Sequence, residues 1–177
     1  RARYHFSDVS DVFLDRARER FAEHRFLSFG AFDMDQDPAA QGYAPGGFDA
    51  IVAANAVHAS KDLRTALQRL RGLLAPGGVL VLVESTTHLA WFDMSTGLIE
   101  GWQHFADDLR TDNPLLPPAT WVRALREAGF DEAGAWPPAG SPAEALGQHL
   151  IVARAPGSAE AGGGATQAIE PTGAPAA

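Results

Sequence analysis

The stretch Gly47-Phe48-Asp49-Ala50-Ile51-Val52-Ala53-Ala54-Asn55-Ala56-Val57-His58-Ala59-Ser60 decides how this chain folds. It leaves a glycine turn, runs as a short apolar strand over 48–54, and ends in a polar cluster where a helix is due. The next apolar run, Val79-Leu80-Val81-Leu82-Val83, also ends on a charged residue, Glu84. A continuous run of that kind is expected of a parallel strand covered on both faces. In parallel α/β sheets, ligands gather just beyond the carboxyl ends of the strands. Two neighbouring strands are therefore expected to deliver Asn55, His58 and Glu84 to one cleft. A carboxylate that orients a histidine and stabilises its protonated form makes a competent general base. His58 and Glu84 are the candidate catalytic pair.

Upstream of this stretch the same grammar repeats. Residues 3–7 read as a strand ending on Asp8, with Ser10 as the N-cap of a helix whose apolar stripe is Phe13, Leu14, Ala17 and Phe21. A second strand is expected over 26–32, ending on Asp33, followed by an acidic loop through Asp35 and Asp37. Downstream, Ser60 or Asp62 caps a helix with Leu63, Leu67, Leu70 and Leu74 on one face, stopped by Ala75-Pro76-Gly77-Gly78. The aromatic segment 86–105 reads as partly helical. Pro117 or Pro118 opens a helix carrying Trp121, Leu125 and Ala128, which Gly129 closes. Residues 130–136 and 149–155 read as the last two strands, at the sheet edge, and residues 156–177 as a disordered Gly/Ala/Pro tail.

Strand–helix alternation of this kind specifies a mostly parallel α/β sheet. Singly, Asp8 and Asp33 suit helix caps or turns. As a pair at neighbouring tips they suit a nucleoside, one carboxylate accepting from both ribose hydroxyls and the other from an adenine amino group.

Composition narrows the field. The chain has 177 residues, 46% of them apolar and 20% charged, enough for one folded domain with a sizeable core. A net charge of −8 argues against a nucleic-acid binder. No apolar run reaches membrane-span length, cysteine is absent, and no His/Asp/Glu grouping has metal-ligand spacing, so neither a membrane nor a metal is expected. A cytoplasmic protein fits these features. Trp91, Trp102 and Trp121 suit core packing, and His5, His24 and His149 carry no motif.

Taken together, Phe6-Ser7-Asp8-Val9-Ser10, the stretch from Phe48 to Ser60, Leu73-Leu74-Ala75-Pro76-Gly77-Gly78 leading to Glu84, Gly97-Leu98-Ile99-Glu100-Gly101-Trp102, Asp107-Asp108-Leu109-Arg110, Asn113-Pro114-Leu115-Leu116 and Ala128-Gly129-Phe130 are familiar. The sequence resembles the class I S-adenosylmethionine-dependent methyltransferase domains of modular type I polyketide synthases, collinearly over residues 4–155. The resemblance implies a Rossmann-like, mostly parallel sheet with an antiparallel edge hairpin. It implies S-adenosylmethionine as cofactor, with Asp8 at its ribose, Asp33 near its adenine, and Asn55 supporting cofactor or acceptor. It maps the family's His–Glu dyad onto His58 and Glu84, which help to remove a proton from an acceptor held on the phosphopantetheine arm of an acyl carrier protein. That acceptor is the α-carbon of a β-ketoacyl thioester in carbon methylators and a hydroxyl or enol oxygen in oxygen methylators. Neighbouring synthase domains are the other implied partners.

The sequence also departs from the family. The glycine-rich cofactor loop and the first strand it follows are absent, and the chain starts at what corresponds to the second strand, so 1–155 reads as the C-terminal part of a methyltransferase domain. In the family's sheet order that first strand lies between the second and the fourth. The unit 4–32 is therefore expected to lack a pairing partner against 48–83. The lid helices over the acceptor are missing, and Gln103 follows Trp102 where relatives often place an aromatic. A methyltransferase remnant kept as a scaffold is the alternative from another class. An NAD-type dehydrogenase would need the same absent loop and leaves the His58/Glu84 match unexplained.

Overall fold

The computed structural model describes residues 2–157, and their strands fall into two separate sheets. In the first, β1 (Tyr4–Asp8) and β2 (Leu27–Ala31) pair in parallel, with Asp8 opposite Ala31. Helix α1 (Asp11–Arg20) joins them and buries Leu14 and Ala17, while Phe13, read as part of the same stripe, is exposed. Ser10 occupies the N-cap position without a side-chain cap. The Asp8 carboxylate accepts the Ser10 amide at 2.9 Å instead.

The second sheet contains β3 (Phe48–Ala54), β4 (Leu74–Ser85), β5 (Glu132–Trp136) and β6 (Gln148–Arg154) in the order β3-β4-β6-β5. β3 and β4 are parallel, in register from Ala50 opposite Val79 to Ala54 opposite Val83. β6 runs antiparallel to both β4 and β5, which gives the expected antiparallel hairpin at the edge. Helix α2 (Leu63–Leu73) is capped by Asp62, whose carboxylate accepts the Thr65 amide at 2.7 Å. Its buried face is Leu63, Ala66, Leu67, Leu70 and Leu73; Leu74, read as part of that stripe, is already the first residue of β4. Helix α3 (Pro118–Glu127) starts on proline, whose missing N–H has no intrahelical acceptor to lose, and ends before Gly129 at φ +91°.

Both α2 and α3 lie against the sheet face that carries Leu80, Leu82, Ile151 and Ala153, and Trp121 is fully buried in this core. The other face is thinly covered. Val79, Val81 and Val83 are only half-buried and Val52 is 62% exposed, because α1 packs on β1 and β2 rather than on this sheet. The apolar run in β4 is thus covered fully on one face, not on two.

The seam between the sheets falls where the sequence departs from the family's strand order. An aromatic cluster of His5, Phe32, Tyr43 and Phe48 fills it, with Tyr43 Oη 3.0 Å from His5 Nε2 and donating to the Ala31 carbonyl at 2.8 Å. The segment 86–105 forms short 3-10 turns, Ala90–Met94 and Thr96–Leu98, rather than a longer helix. The tail expected over 156–177 lies, from residue 158, outside the described residues. Among the described residues no helix is long and apolar enough to cross a membrane.

The uneven covering of the sheet gives a direct contrast. Leu80→Ala is expected to cost about 2–5 kcal/mol in urea unfolding, and Val52→Ala to stay within about 0.5 kcal/mol of the parent. Equal losses would contradict the described packing.

Candidate active site

The register of β3 on β4 sets the site. Past the last paired residues, Ala54 and Val83, Asn55 adopts the left-handed backbone (φ +47°), which asparagine tolerates better than most residues. Its amide donates to the Val83 carbonyl at 2.7 Å, and its Oδ1 accepts from the Ser85 amide at 2.9 Å and the Ser85 hydroxyl at 3.1 Å. Asn55 therefore ties the two strand tips together. Its side-chain nitrogen, Nδ2, makes no hydrogen bond among the described residues. The chain then turns through Val57–Ala59, a single 3-10 turn, and places His58 over Glu84.

His58 Nδ1 lies 2.6 Å from Glu84 Oε2, and the other carboxylate oxygen accepts the Val57 amide at 3.0 Å. Glu84 is fully buried and His58 is 8% exposed. A carboxylate only accepts, so Nδ1 carries the proton and the lone pair of the neutral ring sits on Nε2. Among the described residues Nε2 has no partner, and the buried polar atoms left without one are the Trp102 and Trp121 indole nitrogens, so Nε2 stays reachable from outside. Trp102 stands edge-on to the imidazole, ring centres 5.6 Å apart at 69°. Core packing is the first expectation for this residue from its sequence, with an acyl-pocket wall as the alternative for the aromatic run that follows β4. Trp91, read as core, is exposed. His149, which has no motif, is buried directly across from Glu84 and bonds the Thr86 hydroxyl at 2.7 Å.

Asp8 and Asp33 end the other sheet at adjacent tips, where the Phe32 amide donates to the Asp8 carbonyl at 3.2 Å. Each has one carboxylate oxygen in a local turn, Asp8 with the Ser10 amide and Asp33 with the Asp35 amide at 2.8 Å, and the second without a partner among the described residues. Those two open acceptor oxygens fit the hydroxyls and amino group of a nucleoside. The loop after Asp33 reaches the second sheet: the Asp35 carboxylate accepts the Lys61 amide at 2.9 and 3.1 Å, and Arg69 donates to the Met34 carbonyl at 2.8 Å. The surface depressions over α3 and at the start of α2, about 620 and 330 Å³, have none of His58, Glu84, Asp8, Asp33 or Asn55 in their walls. The candidate residues instead line an open edge.

Asp107 and Arg110, quoted above only within the family resemblance, form a buried ion pair beside the His58 turn. Burial pushes the Asp107 carboxyl up, but hydrogen bonds from the Arg110 guanidinium and from the Leu63 and Leu109 amides outweigh it and hold it below its ordinary value of 3.8. A depressed carboxyl contributes stability that is complete above the unfolded value and is lost as pH falls through the folded one. The melting-temperature difference between the parent and Asp107→Asn is thus expected to be constant above about pH 5 and to shrink as pH drops below 3.8. A difference that grows in acid would contradict the pairing.

Known proteins resemble this chain in both sequence and fold. The sequence profile of the methyltransferase-domain family matches residues 1–80. Polyketide synthase ThaQ of Burkholderia thailandensis is 42% identical over 130 residues, 72% of this chain and 6% of that protein. The crystal structure of the CurJ carbon methyltransferase superposes with a TM-score of 0.82 at 43% identity, covering 87% of this chain and 42% of that one. The trans-methyltransferase CalH, solved in complex with SAH, gives a TM-score of 0.75 at 32% identity, covering 86% of this chain and 42% of that one. The chain thus spans about two fifths of these solved relatives and a small part of the synthase. A mixed sheet with an antiparallel hairpin at its edge, a family profile matched over residues 1–80, and identities of 42% to ThaQ and 43% to CurJ lead to one conclusion: the chain belongs to the class I S-adenosylmethionine-dependent methyltransferases and groups with the methyltransferase domains of polyketide synthases.

Proposed function

We propose that this chain takes part in methyl transfer from S-adenosylmethionine to the α-carbon of a β-ketoacyl thioester carried by an acyl carrier protein, its residues 1–155 forming part of a cytoplasmic polyketide synthase methyltransferase domain. The observation that carries the reading is the His58–Glu84 contact of 2.6 Å at the tips of parallel strands, with His58 Nε2 left free.

S-adenosylmethionine supplies an electrophilic methyl group. Asp8 receives the ribose hydroxyls on its unpaired carboxylate oxygen, Asp33 accepts from the adenine amino group, and the Asn55 amide supports cofactor or acceptor. His58 Nε2 takes a proton from the acceptor α-carbon, and the electron pair left behind is delocalised into the flanking β-ketone. The imidazolium that forms stays hydrogen-bonded through Nδ1 to Glu84, whose buried carboxylate holds the ring's orientation and tautomer. Proximity and alignment supply most of the remaining acceleration. The similarity to a carbon methyltransferase favours the α-carbon over oxygen as acceptor.

The test is mass-spectrometric detection of a methyl gain on a carrier-bound β-ketoacyl substrate. It uses this chain, and a version extended ahead of Arg1 by a strand and glycine-rich turn of the family's type. Transfer is expected with the extended protein, falling about 10²–10⁴-fold in His58→Ala and also falling in Glu84→Gln. A well-folded extended protein that neither binds S-adenosylmethionine in calorimetry nor transfers methyl would leave a structural remnant. Methyl on oxygen with no gain on carbon would replace the acceptor.

A further inference from the structure

The base reading uses the His58 side chain and leaves open what holds the backbone that carries it. Residues 57–59 form one isolated 3-10 turn, whose internal hydrogen bonds satisfy the Ala56 and Val57 carbonyls and no others. The carbonyls that follow need donors from elsewhere, since a buried backbone oxygen without a partner is costly. Arg110 provides them for His58 and Ser60, and at Lys61 it joins the Ala106 amide, which donates at 2.8 Å. Its Nη1 donates to the His58 carbonyl at 2.6 Å, and its Nη2 donates to the Ser60 carbonyl at 2.8 Å and the Lys61 carbonyl at 3.3 Å.

The guanidinium is itself held. Nε donates to Asp107 Oδ1 at 3.3 Å, Nη2 donates to Asp107 Oδ2, and the Phe105 ring lies 5.3 Å from its carbon. Asp107 in turn accepts the Leu63 amide at 2.9 Å, the first N–H of α2. The Arg110 and Asp107 side chains are 0% and 1% exposed. Stability alone is a weak reason for such a pair, because apolar side chains often replace a buried ion pair without loss. Several carbonyls within one short turn do call for a rigid fork of donors, which arginine has and lysine lacks.

We propose that Arg110, anchored by Asp107, is a positioning residue for His58: it fixes the backbone of the turn from behind while Glu84 fixes the imidazole from below, so that Nε2 meets the acceptor in one orientation. The proposal rests on His58 being the base. Glu84 and Arg110 hold backbone groups of consecutive residues in the same turn, the Val57 amide and the His58 carbonyl, so the turn cannot shift without breaking one of them. A misplacement of about 1 Å in a reacting group costs on the order of 10²-fold in rate.

The experiment is a kinetic double-mutant cycle in the full-length protein, with S-adenosylmethionine and a carrier-bound β-ketoacyl thioester, across the parent, Arg110→Lys, Arg110→Met, His58→Ala and the combined variants. Arg110→Lys keeps a charge against Asp107 and carries the test if Arg110→Met does not fold. The expected result is a kcat lowered about 10²-fold, an unchanged KM for S-adenosylmethionine, and a loss that disappears once His58 is alanine. An equal loss in both backgrounds, or an unchanged kcat in Arg110→Lys and a folded Arg110→Met, overturns the proposal while leaving His58 as base. A His58→Ala variant with the parent's rate overturns the base reading itself, and the positioning role with it.

Discussion

A carboxylate withdrawn completely from water has to be bonded at both oxygens, and Glu84 imposes that demand at the tip of β4. Both of its partners come from one turn, the Val57 amide at 3.0 Å and His58 Nδ1 at 2.6 Å. A single buried side chain on one strand therefore dictates the path of the chain leaving the next. Asn55 makes this path geometrically accessible, because its left-handed backbone turns the chain at the strand end while its side-chain oxygen replaces the ladder partner that Ser85 would otherwise lack. The parallel register of β3 on β4 brings the turn within reach at all.

The β3 strand was legible in the sequence to the residue, and so was the delivery of Asn55, His58 and Glu84 to one edge, because apolar runs that stop on polar residues signal strand ends directly. The cap of α2 was narrowed to Ser60 or Asp62, and the start of α3 to Pro117 or Pro118, for the same local reason; the structure takes Asp62 and Pro118. Other features depend on what lies far away in the chain. Phe13 has the spacing of a buried stripe, yet α1 faces only a two-stranded sheet too small to cover it. Leu74 continues the leucine spacing of α2, but its pairing with Phe48 draws it into β4. Arg110 bonds backbone carbonyls some fifty residues upstream, and a carbonyl has no residue identity for a pattern to detect.

The division into two sheets separates the candidate groups by kind. The carboxylates suited to a nucleoside, Asp8 and Asp33, end one sheet, and the acid–base pair ends the other. What joins them is modest: an aromatic seam around Tyr43, and the Asp35 and Met34 contacts to the start of α2. On the proposed reading, a cofactor that rests its nucleoside on one sheet presents its reactive end to the other. Contacts across the seam then matter to chemistry as much as to stability. The rigid part of the site is the His58 turn, held by Glu84 and Arg110.

On the proposed reading His58, held by Glu84, is a base for carbon acids, and proton exchange measures this without any methyl transfer. A carrier-bound β-ketoacyl thioester is incubated in deuterium oxide with the protein and no S-adenosylmethionine, and deuterium entering the α-carbon is followed by mass spectrometry. The account predicts exchange faster than the uncatalysed background with the parent protein, and a return to background in His58→Ala. Exchange that is equally fast in parent and variant would contradict it.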